Sequence, residues 1–367
     1  MGSGPSNPEF RVLQALATSP LPADVPGFEQ VLTDVTALCR SIFQASAESA
    51  ALTVPGASRS GLEAAIASLV RPGDRVLVGV YGHFGELLCT LAARHGGTVE
   101  RIDADWGQPV DPDTMVRRIR ENPPRLAAIV HADTSTGVLQ PLEDIGAACR
   151  ATNTLLLVDV VLSLGGCEVN VADWNVDVAV AGLQKCLGGP PGLALLTASP
   201  SAQDAFTGGE SAYLDLRRLA HTRDELSIPM VFAAHEAMRM VMNEGLAPRW
   251  QRHQRASDAL RAGIEAIGLE RFGNPRYHVP MITLVEVPDG MDEAGVRQQL
   301  LEQHGIEIMA AFGPLRGRVW RIGTMGTNAC LPSVLALLGG LESVLHSRGF
   351  RWQPRGAAVD AAIAAWG

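Results

Sequence analysis

The sequence predicts an α/β protein with a large doubly wound mixed sheet and a smaller C-terminal α+β domain. Apolar runs of strand length, such as residues 154–158 and 178–183, alternate with segments of helical periodicity as far as Pro200. Continuous apolar strands between helices are typical of a parallel sheet that is covered on both faces. Residues 281–287 and 318–323 instead alternate apolar and polar side chains, which favours antiparallel strands with one exposed face.

The length of the chain sets the expected domain organisation. Its 367 residues are too many for one small core, so one large α/β domain and one smaller domain are expected. We predict an N-terminal arm at residues 1–20, a large domain at residues 21–245 and a small domain at residues 246–367. The hydrophobic content of 47% allows a core of sizeable volume in both.

Composition argues against several classes of partner. The net charge is −9 and the basic residues are dispersed, so no basic stripe indicates nucleic-acid binding. No stretch approaches the ~20 apolar residues that a membrane span needs, and the first seven residues lack the regions of a signal peptide. The cysteines lie far apart, without the paired spacing of a zinc site or a disulfide framework; they are Cys39, Cys89, Cys149, Cys167, Cys186 and Cys330. We therefore expect reduced thiols and a cytoplasmic protein.

The N-terminal part is predicted to contain two helices and a loop. Residues 8–18 and 28–43 have the apolar spacing of helices. Three prolines between residues 19 and 27 prevent the first helix from continuing, so this stretch is predicted to be a loop.

A third helix is predicted to begin in residues 55–59. Four apolar residues follow at the i, i+3, i+4 and i+7 positions of a helix, namely Leu62, Ala65, Ile66 and Leu69. Free amides and a serine hydroxyl at a helix N-terminus can form a cup for a phosphate group. Taken alone, the segment is more simply explained as an ordinary helix start, because serine is a good N-cap residue.

Several predicted strands lead directly into polar or aromatic segments. The strand at residues 75–80 leads into residues 81–85, where an aromatic residue between glycines could lie against a cofactor ring or simply pack in the core. The strand at residues 127–130 leads into residues 131–137, which are rich in hydroxyl side chains. In open α/β sheets, ligands bind at this carboxyl edge of the strands.

Asp159 and Lys185 follow two of the most apolar strands. A lysine in such a crevice loses hydration, so its amine is more easily neutralised and becomes nucleophilic. A lysine that bonds an aldehyde, together with an acid that protonates a heteroaromatic nitrogen, is the arrangement that pyridoxal phosphate requires. Each residue taken singly is more simply explained as a solvated loop lysine or a helix-capping aspartate.

The chain beyond Pro200 is predicted to contain helices at residues 212–218 and 228–244 and a final amphipathic helix within residues 355–367. Arg321 is the unusual residue of the strand at 318–323. Its planar guanidinium group suits bidentate capture of a carboxylate. A charge on the exposed face of a surface strand is an equally good explanation from the pattern alone.

Several segments together resemble the class V, fold-type I pyridoxal phosphate aminotransferases. The similarity is to the branch of alanine:glyoxylate, serine:pyruvate and (S)-ureidoglycine:glyoxylate aminotransferases, and it covers nearly the whole chain. The segments are residues 4–7, 56–63, 81–85, 133–141, Asp159 with 164–166, and 182–190, followed by 306–308, 312–314 and 319–326, which are most similar to the ureidoglycine enzymes.

The resemblance implies roles for individual residues. Lys185 would form the Schiff base with pyridoxal phosphate and then carry the substrate proton, while Asp159 would keep the pyridine nitrogen protonated. Arg321 would clamp the substrate carboxylate, with the backbone of Gly4 and Pro5 nearby. The remaining cofactor contacts implied are Ala57, Ser58 and Arg59 around the phosphate, Phe84 stacked on the ring, Thr134 at the ring oxygen or the acid, and Gln184 at the phosphate.

The resemblance also implies the assembly and the substrates. Family members act on small amino acids and 2-oxo acids as homodimers with active sites at the interface. Ser227 occupies the position expected to reach the neighbouring subunit's phosphate.

Three segments depart from the family pattern. Val160, Val161 and Leu162 follow the acid where small hydroxyl residues are usual, which makes the pocket wall bulkier and drier. Residues 19–27 lack the glycine-histidine or glycine-glutamine pair often found there, and residues 224–229 replace a tyrosine and a His-His-Thr run. Two functions therefore stay open: an aminotransferase that delivers an amino group to glyoxylate or pyruvate, and a pyridoxal phosphate lyase on the same scaffold.

Overall fold

The structure is a computed structural model that describes residues 1–18, 26–208, 211–221 and 226–367. Its helices are α1 (Phe10–Leu16), α2 (Pro26–Ile42), α3 (Ser58–Leu69), α4 (His83–Arg94), α5 (Pro112–Glu121), α6 (Glu143–Thr152), α7 (Pro200–Ala205), α8 (Leu216–Leu219), α9 (Ile228–Glu244), α10 (Leu246–Ala266), α11 (Glu293–His304), α12 (Leu331–Ser347) and α13 (Ala357–Trp366). Its strands are β1 (Ala50–Pro55), β2 (Arg75–Val80), β3 (Thr98–Asp103), β4 (Leu126–Val130), β5 (Ala132–Asp133), β6 (Val138–Leu139), β7 (Leu155–Asp159), β8 (Val178–Gly182), β9 (Leu193–Ala198), β10 (Ile282–Glu286), β11 (Met309–Ala310) and β12 (Val319–Gly323). Short 3₁₀ helices occur at Pro275–Tyr277, Gly313–Leu315 and Gly326–Asn328.

The large sheet has seven strands in the order β1-β9-β8-β7-β4-β2-β3. Strand β9 runs antiparallel to both of its neighbours, while the other strand pairs are parallel, so the sheet is mixed as predicted. Strands β4, β7, β8 and β9 are buried along their whole length. The apolar side chains of these strands form one large core with the helices that cover them, and β4, β7 and β8 end at the same edge.

The C-terminal part builds a second core on a three-stranded antiparallel sheet, β10-β12-β11. Helices α10, α12 and α13 pack together on one side of it. The prediction of one exposed sheet face is wrong, because β12 is buried on both faces. Trp320 and Ile322 face the second core, whereas Val319 belongs to a third apolar cluster that also contains Ala132 on β5.

Two further predictions meet different outcomes. The prediction of a helix over residues 212–218 is wrong, because the only helix there is α8, which begins at Leu216. The Asp215 carboxylate caps α8 by accepting the Arg217 amide. The predicted loop at residues 19–27 lies mostly outside the described residues. Asp224 and Glu225, in the segment 224–229 that departs from the family pattern, also lie outside them. Within the described part of the chain, no helix has both the length and the apolar run needed to cross a bilayer.

The cysteines are present as free thiols. Cys39, Cys89, Cys149 and Cys186 are buried, and the other two are half-buried. Burial raises the pKa of the Cys186 thiol to about 12, so the cysteine next to Lys185 stays protonated near neutral pH.

Candidate active site

A cavity of about 190 Å³ lies at the carboxyl edge of the large sheet, beyond the ends of β4, β7 and β8. Eight of the residues predicted from the sequence line this one cavity: Ala57, Ser58, Arg59, Phe84, Thr134, Asp159, Gln184 and Lys185. The rest of its wall is apolar and consists of Leu62, Val130, Ala132, Val161 and Leu162. The site is therefore a dry pocket with a few convergent polar groups, which is the usual form of a cofactor or substrate site.

Lys185 projects into the cavity from the turn that follows β8. Burial, and then the nearby charge of Arg321, lower the pKa of its amine to about 8. Lys185 is also the single lysine of the chain, since the other 29 of its 30 basic residues are arginines. No other side chain can therefore supply a nucleophilic ε-amine.

The N-terminal segment lies against this lysine. Lys185 Nζ donates to the Ser3 carbonyl at 2.5 Å. Gly4 has a φ of +106°, and a Cβ atom there would overlap with the lysine side chain, so only glycine fits. The backbone path therefore places Gly4 directly against Lys185, whereas Pro5 is exposed and does not line the cavity.

The turn that carries Lys185 is held by hydrogen bonds to three consecutive carbonyls. Ser6 donates its amide to the Gln184 carbonyl at 2.8 Å and its hydroxyl to the Lys185 carbonyl at 2.7 Å. Arg249, buried on α10, donates to the Cys186 carbonyl at 2.5 Å. These bonds fix the backbone from which the lysine projects.

Arg249 belongs to an ion triad, which we define as Glu244, Arg249 and Arg252. Glu244 accepts hydrogen bonds of 2.5 Å from both arginines. Arg252 also donates to the carbonyls of Gly326 and Ala329, in the loop that follows β12. The triad therefore joins the lysine turn to the segment that follows Arg321.

Asp159 is the last residue of β7, and its carboxylate is almost fully buried in the same cavity. One oxygen accepts the Val161 amide at 2.9 Å. Burial raises the pKa of Asp159 to about 7, although the Val161 amide and the charge of Lys185 oppose this rise. Such a carboxylate gains strongly from a cationic partner inside the cavity.

The N-terminus of α3 also lines the cavity, through Ala57, Ser58 and Arg59. No side chain caps this helix, and no hydrogen bond within the described residues uses the amides of Ala57, Ser58 and Arg59. Gln184 donates Nε2 to the Ser58 hydroxyl at 3.2 Å, and its buried Oε1 has no partner among the described residues. A helix N-terminus with free amides of this kind can bind an anion.

Phe84 lies in the first turn of α4 and reaches the cavity wall. The helix is capped from far away in sequence, because Asp133 accepts the Phe84 amide at 3.2 Å and the Ser135 hydroxyl accepts the His83 amide at 2.9 Å. A Cβ atom at Gly82 would lie 2.5 Å from the Asp133 carboxylate, so this approach needs glycine. Asp133 and Ser135 thus set the position of the Phe84 ring.

Arg321 is almost fully buried, at 3% exposure, which excludes the surface-charge explanation. Its Nε donates to the Ala310 carbonyl at 2.8 Å and its Nη1 to the Thr134 carbonyl at 3.1 Å. Burial lowers the pKa of Arg321 to about 10, so the group remains a cation at neutral pH. Arg321 thereby meets the cavity wall at Thr134.

Ser227 is not brought to this cavity. It is exposed at the N-terminus of α9 and does not line the pocket. Sequence analysis also missed Asp133, Ser135 and the ion triad. Asp133 and Ser135 lie inside a segment that was recognised, whereas no local signal marks the triad.

Comparison with known proteins shows the family. The class-V aminotransferase family matches residues 14–315. The (S)-ureidoglycine–glyoxylate transaminase of Bacillus subtilis is 38% identical, with 99% of this chain and 94% of that protein covered. An alanine–glyoxylate aminotransferase of Drosophila melanogaster is 32% identical, with 95% and 92% covered.

Solved structures give the same result. The ureidoglycine–glyoxylate aminotransferase of Bacillus subtilis superposes with a TM-score of 0.95 at 40% identity, covering 100% of this chain and 97% of that one. The pyridoxamine–pyruvate aminotransferase of Mesorhizobium loti superposes with a TM-score of 0.92 at 29% identity, covering 99% and 95%. The fold is therefore that of the fold-type I transferases, and the chain belongs to the class V aminotransferases.

Proposed function

We propose that this aminotransferase uses pyridoxal phosphate to move an amino group from a small amino acid or a ureidoglycine-like donor to glyoxylate or pyruvate. The observation that carries the proposal is that Lys185 and Asp159 face one buried cavity with pKa values of about 8 and about 7. Values so close to neutral are typical of groups that exchange protons in catalysis. The names of the relatives support the choice of donor and acceptor.

The residues of the cavity fit pyridoxal phosphate. The unused amides of Ala57, Ser58 and Arg59 suit its phosphate group. Gln184 lines the cavity beside these amides, and its Nε2, which donates to the Ser58 hydroxyl at 3.2 Å, would be the group available to the phosphate. The buried carboxylate of Asp159 suits a protonated ring nitrogen. When bound, the cofactor supplies an electron-withdrawing ring that accepts the electron pair released at the substrate Cα.

The protein side chains divide the remaining work. Lys185 would hold the cofactor through its aldehyde group, and its amine would take the proton from the substrate Cα. Asp159 would keep the ring nitrogen protonated. Phe84 would support the ring face, and Arg321 would hold the substrate carboxylate with its two terminal nitrogens. The lyase alternative finds no support among these relatives, whose names describe transaminases.

The donor is identified by mixing the cofactor-loaded enzyme with single amino donors. We expect a small amino acid or ureidoglycine to convert the yellow form to the pyridoxamine form, and glyoxylate or pyruvate to restore the yellow form. Amines that lack a carboxylate should react poorly. Release of ammonia together with a 2-oxo acid, without any pyridoxamine form, would instead establish a lyase.

We also propose a two-fold homodimer with active sites at the subunit interface. Exposed apolar side chains support it, since Phe10 and Leu13 on α1 are 69% and 45% exposed where α1 packs on α9. The Ser227 hydroxyl, at the start of α9, would then contact the phosphate bound by the other subunit. Light scattering of the cofactor-loaded enzyme should give twice the chain mass of 38.9 kDa. An active monomer would refute the assembly.

We also propose a division of the chain into three parts and a cytoplasmic location. The boundaries at residues 1–20, 21–245 and 246–367 are supported by two separate apolar cores, one formed by residues up to Val241 and one by residues from Ala256 onward. A cytoplasmic location is supported by six free cysteines, which persist in reducing compartments.

A further inference from the structure

The Phe312 ring contacts both Arg321 and His83. The Arg321 guanidinium carbon is 4.2 Å from the centre of the Phe312 ring. The His83 ring is stacked on the same ring at 4.6 Å, with only 11° between the planes. Phe312 therefore contacts the substrate-binding candidate Arg321 and the first turn of α4 at the same time.

Phe312 is not a filler of the apolar core. It is half-buried, and it belongs to none of the apolar clusters formed by the described residues, whether as a member or as a side chain packed against one. Its ring contacts are the guanidinium group, the imidazole ring and the edge of Phe84 at 6.2 Å. The position of this ring therefore matters for Arg321 more than for the packing of the fold.

The contact with Phe312 adds to two hydrogen bonds that hold the Arg321 guanidinium group. The bonds to the Ala310 and Thr134 carbonyls hold Nε and one hydrogen of Nη1, and these lie in the guanidinium plane. They leave Nη2 and the second hydrogen of Nη1 without partners among the described residues. These two hydrogen bonds alone would allow the guanidinium plane of Arg321 to tilt about the line that joins them. The Phe312 ring, which lies under the guanidinium carbon at 4.2 Å, attracts the cation and restricts its movement.

The other side of the stack is anchored to the cofactor pocket. His83 and Phe84 are consecutive residues in the first turn of α4, and Ser135 and Asp133 hold their amides. Phe84 faces the cavity while His83 supports Phe312. One capped helix turn thus sets both the ring that faces the cofactor and the ring that orients the arginine.

We propose that Phe312 is a specificity-determining residue, which selects substrates that carry an α-carboxylate by holding the plane of Arg321 in register with the cofactor pocket. The inference rests on the proposed function, in which Arg321 binds that carboxylate. Two parallel hydrogen bonds to a carboxylate require a fixed guanidinium plane, so a loss of orientation weakens carboxylate binding while leaving amine binding unchanged.

The test compares two ligands on the cofactor-loaded enzyme at equilibrium. 2-Methylalanine carries an amino group and a carboxylate but no Cα hydrogen, so it binds without completing transamination. tert-Butylamine has a methyl group in place of the carboxylate. The ratio of their dissociation constants, measured by titration calorimetry, reports the contribution of the carboxylate alone. The variants are Phe312→Leu, which removes the ring face, Phe312→Tyr, which keeps it, and Arg321→Lys.

We expect Phe312→Leu to reduce the preference for 2-methylalanine by about 5- to 30-fold, the factor that matches a partly desolvated cation–π contact. The affinity for tert-butylamine should not change, and Phe312→Tyr should keep the preference of the unmodified enzyme. The inference fails if Phe312→Leu keeps the preference while Arg321→Lys loses it, or if both ligands weaken equally in Phe312→Leu. If Arg321→Lys also keeps the preference, the carboxylate role of Arg321 fails together with it.

Discussion

Replacing Lys185 with alanine is expected to abolish transamination and to remove the absorption of the lysine-bound cofactor. The variant loses the one side-chain amine of the protein, so neither the covalent link nor the proton carrier can be replaced from elsewhere in the chain. Proton transfer alone accounts for about 10²- to 10⁴-fold in rate, and the loss should reach at least this size. Steady-state kinetics and the absorption spectrum measure both effects.

Two controls make the result specific to the amine. Added methylamine should restore part of the activity of Lys185→Ala, because it supplies an amine of similar basicity to the emptied position. Lys185→Arg should remain inactive, since a guanidinium group cannot be deprotonated in proteins. After borohydride treatment, cofactor still attached to a side chain of Lys185→Ala would show that the anchor is misassigned.

Asp159→Asn is expected to bind the cofactor but to lose about 10²- to 10³-fold in kcat, with little change in KM. In the proposed function the buried carboxylate would stabilise a positive ring nitrogen, which a neutral amide could not keep protonated while charge develops at the substrate Cα. The loss equals that of one preorganised electrostatic contact. A larger kinetic isotope effect with α-deuterated donor would place the defect in the chemical step.

Stability provides the control for Asp159→Asn. Because the native pKa of Asp159 is about 7, above its usual value of 3.8, the carboxylate lowers the unfolding free energy of cofactor-free protein as pH rises from about 4 through about 7. Asparagine removes this penalty. The cofactor-free variant should therefore melt no lower than the parent at pH 8. An unchanged kcat would mean that the carboxylate has only a structural role.

The sheet and the position of the site could be predicted because their signals are local. Asp159 ends a strand whose other residues are all apolar, and the turn of Lys185 follows a second apolar strand; such strands are typical of the centre of a covered sheet. The carboxyl edge then brings their ends together. The start of α3 was predictable for the same reason, since its apolar spacing begins at Leu62, one turn after Ser58.

What could not be predicted depends on contacts between distant segments. The alternation of β12 suggested a solvent-exposed face, but Val319 is buried in the cluster that contains β5, and Arg321 donates to the Thr134 carbonyl just after β5. The segment 212–218 has the apolar spacing of a helix, but the Asp215 side chain caps the helix start at residue 215. Only the single turn of α8 is therefore helical. The cap of α4 by Asp133 spans 49 residues, which no window of helical periodicity covers.

The ion triad of Glu244, Arg249 and Arg252 determines how the C-terminal part can rotate. Arg249 fastens α10 to the turn of Lys185, and Arg252 fastens it to the loop after β12, within the first two turns of the helix. A rotation that keeps these bonds must have its axis close to Glu244, at the junction of α9 and α10. Points near an axis move least. A rotation of this kind would therefore move the outer rim of the small sheet more than the turn that carries Lys185.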